Sequence, residues 1–220
     1  MHEVIAIDGP AASGKSTVSK SVAKRFGILY VNSGAMYRAV TWSVLRAGVD
    51  PAEEGEVTRH LHAISIETGI NDGRATISIN GVDPGIDLVS EEVNSSVSAV
   101  SKHASVRERL VAEQRKFADL GSLVMEGRDI GTAVFPGTPH KFFLDASTEV
   151  REARRRAQGI EDDLAARDKQ DSGRKIAPLK VAEDAQIVDT SELSIDGVVD
   201  AICRALVEAG WVESERSSVY

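Results

Sequence analysis

Short apolar runs alternate along the chain with segments in which apolar residues recur every three or four positions. Val4-Ile5-Ala6-Ile7 opens the series and is closed by Asp8-Gly9-Pro10. Ile28-Leu29-Tyr30-Val31, Leu123-Val124-Met125, Phe142-Phe143-Leu144 and Ala185-Gln186-Ile187-Val188 follow, the last three ending at Glu126, Asp145 and Asp189. Brief runs of this kind read as strands buried on both faces, as in a parallel sheet covered by helices. The helical segments lie between them. Val18, Val22 and Phe26 recur from Lys15 onward with Gly27 as the stop, and residues 35–45 carry Met36, Val40 and Val44. Residues 106–120 carry Val106, Leu110, Gln114 and Phe117, and residues 195–210 carry Ile195, Val198, Val199, Ile202 and Leu206. One stretch departs from this rhythm: Ile64, Ile66 and Thr68 alternate, Asn71-Asp72-Gly73 is a turn signal, and Ala75, Ile77 and Ile79 alternate again. That pattern predicts an antiparallel hairpin, hence a subdomain inserted into a parallel α/β fold. Residues 211–220 are expected to fray.

Composition sharpens the picture. A chain of 220 residues, 42% of them hydrophobic, makes one large domain or two small ones with a real core. The formal net charge of −8 argues against broad binding to nucleic acid or to anionic membranes, which both require a net positive field. Cys203 is alone and cannot form an intramolecular disulfide, the N-terminus has no basic stretch followed by an apolar one, and no apolar run approaches a membrane span. The expectation is a cytoplasmic protein with no nucleic-acid or membrane partner, and a monomer. The basic residues are sorted against this background: 17 of the 26 are Arg, and residues 150–180 hold nine basic against six acidic residues. Arg grips planar oxyanions two bonds at a time, so a local anionic ligand is expected there.

Gly9-Pro10-Ala11-Ala12-Ser13-Gly14-Lys15-Ser16 matches G-x-x-x-x-G-K-[ST] and sits after a buried strand and before a helix, as its mechanism requires. Small residues let successive backbone N–H groups turn toward one point, and the helix N-terminus adds its dipole, so a polyphosphate finds donors there. Lys15 is placed to reach the β- and γ-phosphates and the Ser16 hydroxyl to bind Mg²⁺, with Asp8 or Glu126 as candidates to hold the metal through water. Nucleoside triphosphate binding is the first functional expectation.

The chain has no D-x-x-G and no N-K-x-D element after this loop, which disfavours a GTPase. The third strand continues from Glu126-Gly127 into an Arg128-Asp129 pair, where an oligomeric ATPase places an acidic pair. That pair and the Arg-rich segment favour transfer of the γ-phosphoryl group to an acceptor that is itself anionic.

Five strings, in order, carry a resemblance: Gly9 to Thr17; Ser33-Gly34-Ala35-Met36-Tyr37-Arg38; Glu126-Gly127-Arg128-Asp129-Ile130-Gly131-Thr132 with Val134-Phe135-Pro136; Phe143-Leu144-Asp145-Ala146-Ser147; and Ala177-Pro178-Leu179. They resemble the bacterial cytidylate kinases over essentially the whole chain to about residue 207. The resemblance implies a three-layer P-loop kinase fold with a parallel central sheet. It implies a core of residues 1–36, 104–150 and 176–210, an inserted monophosphate-binding domain at 37–103 containing a small antiparallel sheet, a short lid at 151–175, and a tail at 211–220. It implies transfer from ATP to CMP or dCMP. By the same resemblance Ser98, Arg107 and Asp129 read cytosine, Arg38, Arg128 and Arg174 hold the CMP phosphate with Ser33 lining the site, Asp171 meets the ribose hydroxyls, and Arg155 and Arg167 are lid arginines. Lys15, Arg128, Arg155 and Arg167 are the implied catalytic set.

The chemistry of the residues agrees. Cytosine offers two acceptors and an amino donor, which a cation, a hydroxyl and a carboxylate complement. A phosphate monoester with a second pKa of about 6 is already largely deprotonated at neutral pH, so no general base is required. Catalysis then reduces to positioning and charge stabilisation, which suits a site rich in Arg and without His. The chain departs from the family's commoner members between Gln158 and Arg167, where the intervening stretch is short; this bears on the lid and on Arg155. Other readings are a relative acting on UMP, AMP or a small acid, and a P-loop module that binds nucleotide without transferring it.

Overall fold

The computed structural model of the chain describes residues 2–157, 159, 163–174 and 176–214, and of Arg167 only the backbone. The chain divides into two compact units, residues Met1–Val31 with Phe117–Tyr220, and residues Asn32–Lys116.

The first unit is built on a sheet whose strands are β1 (Val4–Asp8), β2 (Leu29–Asn32, its last residue opening the second unit), β5 (Leu123–Gly127), β6 (His140–Asp145) and β7 (Gln186–Asp189). They lie in the order β2-β5-β1-β6-β7. β1 is parallel to β5, with Val4 opposite Leu123 and Asp8 opposite Gly127, and parallel to β6, with Ile5 opposite His140 and Asp8 opposite Phe143. β6 is parallel to β7, with Asp145 opposite Asp189. All of β1 and β5 is buried, which is why these strands read as unbroken apolar runs. Helix α1 (Lys15–Phe26) stops at Gly27, whose left-handed φ of 66° lets its N–H and that of Ile28 cap the carbonyls of Lys24 and Ala23. Val18, Val22 and Phe26 of α1 join Ile5, Ile7, Val124, Phe142 and Leu144 of the sheet and Val198, Val199, Ile202 and Leu206 of α8 (Ile195–Glu208) in one core.

Two expectations for this unit need correction. Trp211 does not fray: it is buried in that core, edge-on to Phe26 and His140 at 5.7 and 5.4 Å, and its Nε1 donates to His140 Nε2. The chain remains attached as far as Ser214, whose N–H donates to Arg25 O at 2.9 Å; residues 215–220 lie outside the described residues. The last helix ends at Glu208, two residues earlier than the pattern suggests. Cys203, a lone cysteine in the sequence, is a buried core residue.

The second unit contains α2 (Ser33–Arg46), α3 (Glu54–Ala63), the hairpin β3 (Ile66–Asn71) and β4 (Arg74–Ile79), α4 (Glu91–Ser101) and most of α5 (Ala104–Leu120). The hairpin runs from Ile66 opposite Ile79 to Asn71 opposite Arg74. Asp72 and Gly73 both take positive φ, 48° and 68°, the twist that suits a two-residue connection. Asn32 and Ser90 cap α2 and α4 by accepting from Ala35 N and Val93 N. The sequence pattern above assigns no element to α3 or α4, although Val57 and Leu61 on α3 and Val93, Val97 and Val100 on α4 are buried at helical spacing; both helices are short and otherwise polar.

No helix among the described residues is long and apolar enough to cross a membrane.

Candidate active site

The parallel register brings the carboxyl ends of β1, β5, β6 and β7 side by side, so the loops that follow them open at one edge of the sheet. In an α/β sheet that edge is where ligands bind. The first of these loops is Gly9 to Ser16. Gly9 has φ 149°, and a Cβ there would stand 2.1 Å from Leu144 O, so only glycine lets the loop leave β1 against β6. Ala12 and Gly14 also take left-handed φ, 60° and 93°.

The outer side of the loop is clamped. From α6 (Thr148–Ala157), Arg151 Nη1 donates to Ala11 O at 3.3 Å and Arg154 Nη1 to Ala12 O at 3.3 Å. The Thr190 hydroxyl donates to Ser13 O at 3.1 Å, and Arg154 Nη2 donates to Thr190 O at 2.7 Å. Three successive carbonyls of the loop, those of Ala11, Ala12 and Ser13, are thus tied to α6 and Thr190. Sequence reasoning singled out Arg155 from this cluster and missed Arg151, Arg154 and Thr190. The i,i+3 spacing of Arg151 and Arg154 puts both on one helix face, but the face that meets the loop is set by how α6 packs. Arg155 is half-buried on the same helix.

The Lys15 ammonium is buried and donates to Pro10 O at 2.5 Å and Ser13 Oγ at 3.4 Å. Burial, and then the Arg128 charge, push its pKa well below the usual lysine value, against the pull of Glu126, Asp8 and Asp171. One position along, the Ser16 hydroxyl donates to Glu126 Oε2 at 2.9 Å, and the Tyr30 hydroxyl donates to Glu126 Oε1 at 2.5 Å. Asp8 is used differently. Its Oδ1 accepts from Ile130 N and its Oδ2 from Gly131 N, both at 2.8 Å, and burial raises its pKa to about 6 despite those bonds.

A second cluster forms around Asp171, buried on α7 (Leu164–Ser172). Arg128 Nε donates to Asp171 Oδ2 at 2.8 Å and Arg174 Nη2 donates to Asp171 Oδ1. Residues distant in the chain are thus gathered in the first unit: Lys15 with the charges of Arg128, Glu126, Asp8 and Asp171 around it, and Arg174 joined to the same carboxylate. Asp129 is buried beside Arg128, at the start of the π-type turn Ile130–Val134. The side chain of Arg167 lies outside the described residues.

The second unit holds the other expected residues. Ser33 is buried at the start of α2, and Arg38 Nε donates to Asn94 Oδ1 of α4 at 3.3 Å. Arg107 is buried, donates from Nη1 to Ser101 O at 3.3 Å, and places its guanidinium 5.4 Å from the Tyr37 ring centroid. Ser101 Oγ in turn donates to the carbonyl of Ser98, so Ser98 and Arg107 are each tied to Ser101 at the end of α4.

The chain is similar to known proteins over most of its length. The family model described as Cytidylate kinase matches residues 5–208. The chain is 46% identical to a cytidylate kinase of Geobacillus sp. over 93% of its own length and 96% of the relative's. It is 44% identical to one of Mycobacterium avium over 90% and 92%, and 41% identical to one of Bacillus subtilis over 92% and 95%. Its fold is similar to that of an unliganded sugar kinase from Janibacter sp., with a TM-score of 0.51 at 13% identity over 100% of both chains.

Proposed function

The chain belongs to the cytidylate kinase family, and on that premise we propose that it transfers the γ-phosphoryl group of ATP to CMP or dCMP, yielding ADP and CDP or dCDP. The observation that carries this reading is the Arg128–Asp171–Arg174 cluster formed beside Lys15. A nucleotide-binding module needs the loop and its lysine; a second group of arginines suits a second phosphate. In the reaction an unprotonated oxygen of the monophosphate attacks the γ-phosphorus, the bond from that phosphorus to the β-bridging oxygen breaks, and the electron pair leaves with ADP. The acceptor oxygen is largely unprotonated at neutral pH, so the protein's task is to align the reactants and offset the charge of the transferred group.

In this reading residues 9–17 cradle the ATP phosphates, and Lys15, Arg128, Arg155 and Arg167 stabilise the transferring group. Arg38, Arg128 and Arg174 hold the monophosphate with Ser33 beside it, Asp171 takes the ribose, and Ser98, Arg107 and Asp129 read the base. Residues 37–103 form the monophosphate-binding part and 151–175 the lid. The protein acts as a cytoplasmic monomer on small nucleotides. Hydroxyl and carboxylate oxygens are hard donors of the kind Mg²⁺ prefers, and the ion usually keeps waters and phosphate oxygens as its remaining ligands. Ser16 and Glu126, already hydrogen-bonded to one another, fit that role and would hold it. Asp8 fits less well, since both of its oxygens accept backbone N–H groups. Bound there, the cation supplies charge neutralisation on the phosphates.

A coupled ADP-release assay across CMP, dCMP, UMP and AMP tests the assignment. CMP and dCMP should lead, and UMP or AMP outpacing both would overturn it. Lys15→Ala separates a kinase from a binding module: the kinase loses phosphoryl transfer, whereas the module has none to lose.

A further inference from the structure

Arg128 and Asp129 form an arch of two residues between β5 and the π-type turn, and a single residue holds both of its feet. On one side the main chain of Asp8 pairs with Gly127, the last residue of β5. On the other side the Asp8 carboxylate accepts the N–H groups of Ile130 and Gly131, one on each oxygen, at 2.8 Å. The turn is closed further by Ala133 N and Val134 N donating to Asp129 O at 2.8 and 3.2 Å. Asp8 is also the residue immediately before Gly9, the start of the phosphate loop.

Gly131 is closely packed where a side chain would stand. A Cβ there would meet Lys141 Cδ at 3.1 Å and Asp8 Oδ2 at 3.4 Å. Lys141 is itself buried and tied down, its ammonium donating to Pro136 O at 2.7 Å and to both oxygens of Asp184 at 2.8 Å. Where a side chain would stand, Gly131 therefore faces anchored groups. Two neighbouring N–H donors converging on one side chain require two acceptors and no donor. Among side chains of this size only an ionised carboxylate provides that; an asparagine offers one acceptor and turns an NH₂ toward the second N–H. A buried carboxylate is an expensive way to hold a turn, and its retention here is explained by where the turn sits.

We propose that Asp8 is a positioning residue for acceptor selection: by clamping both ends of the Arg128–Asp129 arch to the root of the phosphate loop, it sets where the monophosphate and its base are held relative to the donor. The inference rests on the roles given above to Arg128 and Asp129, and the test separates the two. Steady-state kcat/KM for CMP and UMP, the KM for CMP and the binding of a non-hydrolysable ATP analogue are measured for wild type, Asp8→Asn, Gly131→Ala and Asp129→Ala. Urea denaturation establishes that each variant is folded.

In Asp8→Asn the CMP over UMP preference should fall about tenfold and the KM for CMP rise by a similar factor, with analogue binding changed less than about twofold, on the scale of losing one aligned hydrogen bond. Gly131→Ala, whose methyl would crowd Lys141 at 3.1 Å and so displace the turn at the carboxylate, should shift the same two quantities in the same direction and stands in if Asp8→Asn fails to fold. Equal loss of kcat/KM for CMP and UMP, or analogue affinity falling as far as CMP affinity, overturns the inference, because Asp8 then only supports the fold. If Asp129→Ala loses the preference while Asp8→Asn keeps it, the inference falls and the base-reading role stands. If Asp129→Ala keeps the preference, that role falls, and the inference is judged on whether CMP KM rises without loss of analogue binding.

Discussion

The buried carboxylate of Asp8 leaves a signature in the pH dependence of stability that its replacement by asparagine should erase. Its pKa rises from 3.8 to about 6, chiefly because burial penalises the charge, with the neighbouring Asp129 adding to the rise and Lys15 and the two backbone N–H groups opposing it. Between those values the folded protein binds a proton that the unfolded chain releases, so stability falls as pH rises. The shift amounts to about 3 kcal/mol, present in full below pH 3.8 and lost as pH climbs through about 6. Over the accessible window from pH 5 to 7.5, Asp8 should account for about 1.4 kcal/mol of declining stability. Asparagine does not titrate, so in urea titrations of both proteins the unfolding free energy of the wild type minus that of Asp8→Asn should fall by about 1.4 kcal/mol from pH 5 to pH 7.5. Parallel stability curves across this window would refute the argument, because they would mean that the carboxylate is not shielded from water as its surroundings require.

Three further substitutions probe other parts of the site. Glu126→Gln keeps the shape of the partner to Ser16 and Tyr30 but removes its charge; the Mg²⁺ concentration for half-maximal activity should rise about tenfold, the scale of a perturbed metal site, and an unchanged metal titration would remove Glu126 from that role. Arg154→Ala frees the carbonyls of Ala12 and Thr190. Its KM for ATP should rise several-fold while that for CMP stays constant, and equal changes in both would show that α6 does not act through the phosphate loop. Trp211→Ala empties a core site against Phe26 and should cost about 3 kcal/mol in urea denaturation; a loss below about 1 kcal/mol would return this residue to the tail.

Features whose physics is local were legible in the chain. The phosphate loop, its strand and its helix need only small residues, a buried run and a helical stripe within two dozen positions, and the hairpin needs only alternation around Asp72-Gly73. Val18, Val22, Phe26, Met36, Val40 and Val44 are all buried as their spacing demands. Two short helices, α3 and α4, carry their period in only Val57 and Leu61 and in Val93, Val97 and Val100, set among polar residues, and so stand out less than the longer stripes. Trp211 escaped because an aromatic in a polar segment gives no sign of the partners it will find on α1 and β6.

The site divides along the same line. The sequence by itself determined which chemistry was available: a triphosphate loop, a hydroxyl for a metal, and arginines gathered after residue 150 instead of spread with the acidic bulk. Tertiary structure decided how these groups are employed. Asp8 and Glu126 are both carboxylates at strand ends and indistinguishable as candidates to hold a metal, yet Asp8 closes on N–H groups 122 and 123 positions away while Glu126 closes on Ser16 and Tyr30. Likewise Arg151 and Arg154, neither of them singled out by the sequence pattern, are drawn onto carbonyls of the phosphate loop. The reason is physical. A residue's type sets what it can bond, but its bonding partner is whatever the packing of distant elements leaves within 3 Å of it, and that distance is written in no local stretch of the chain.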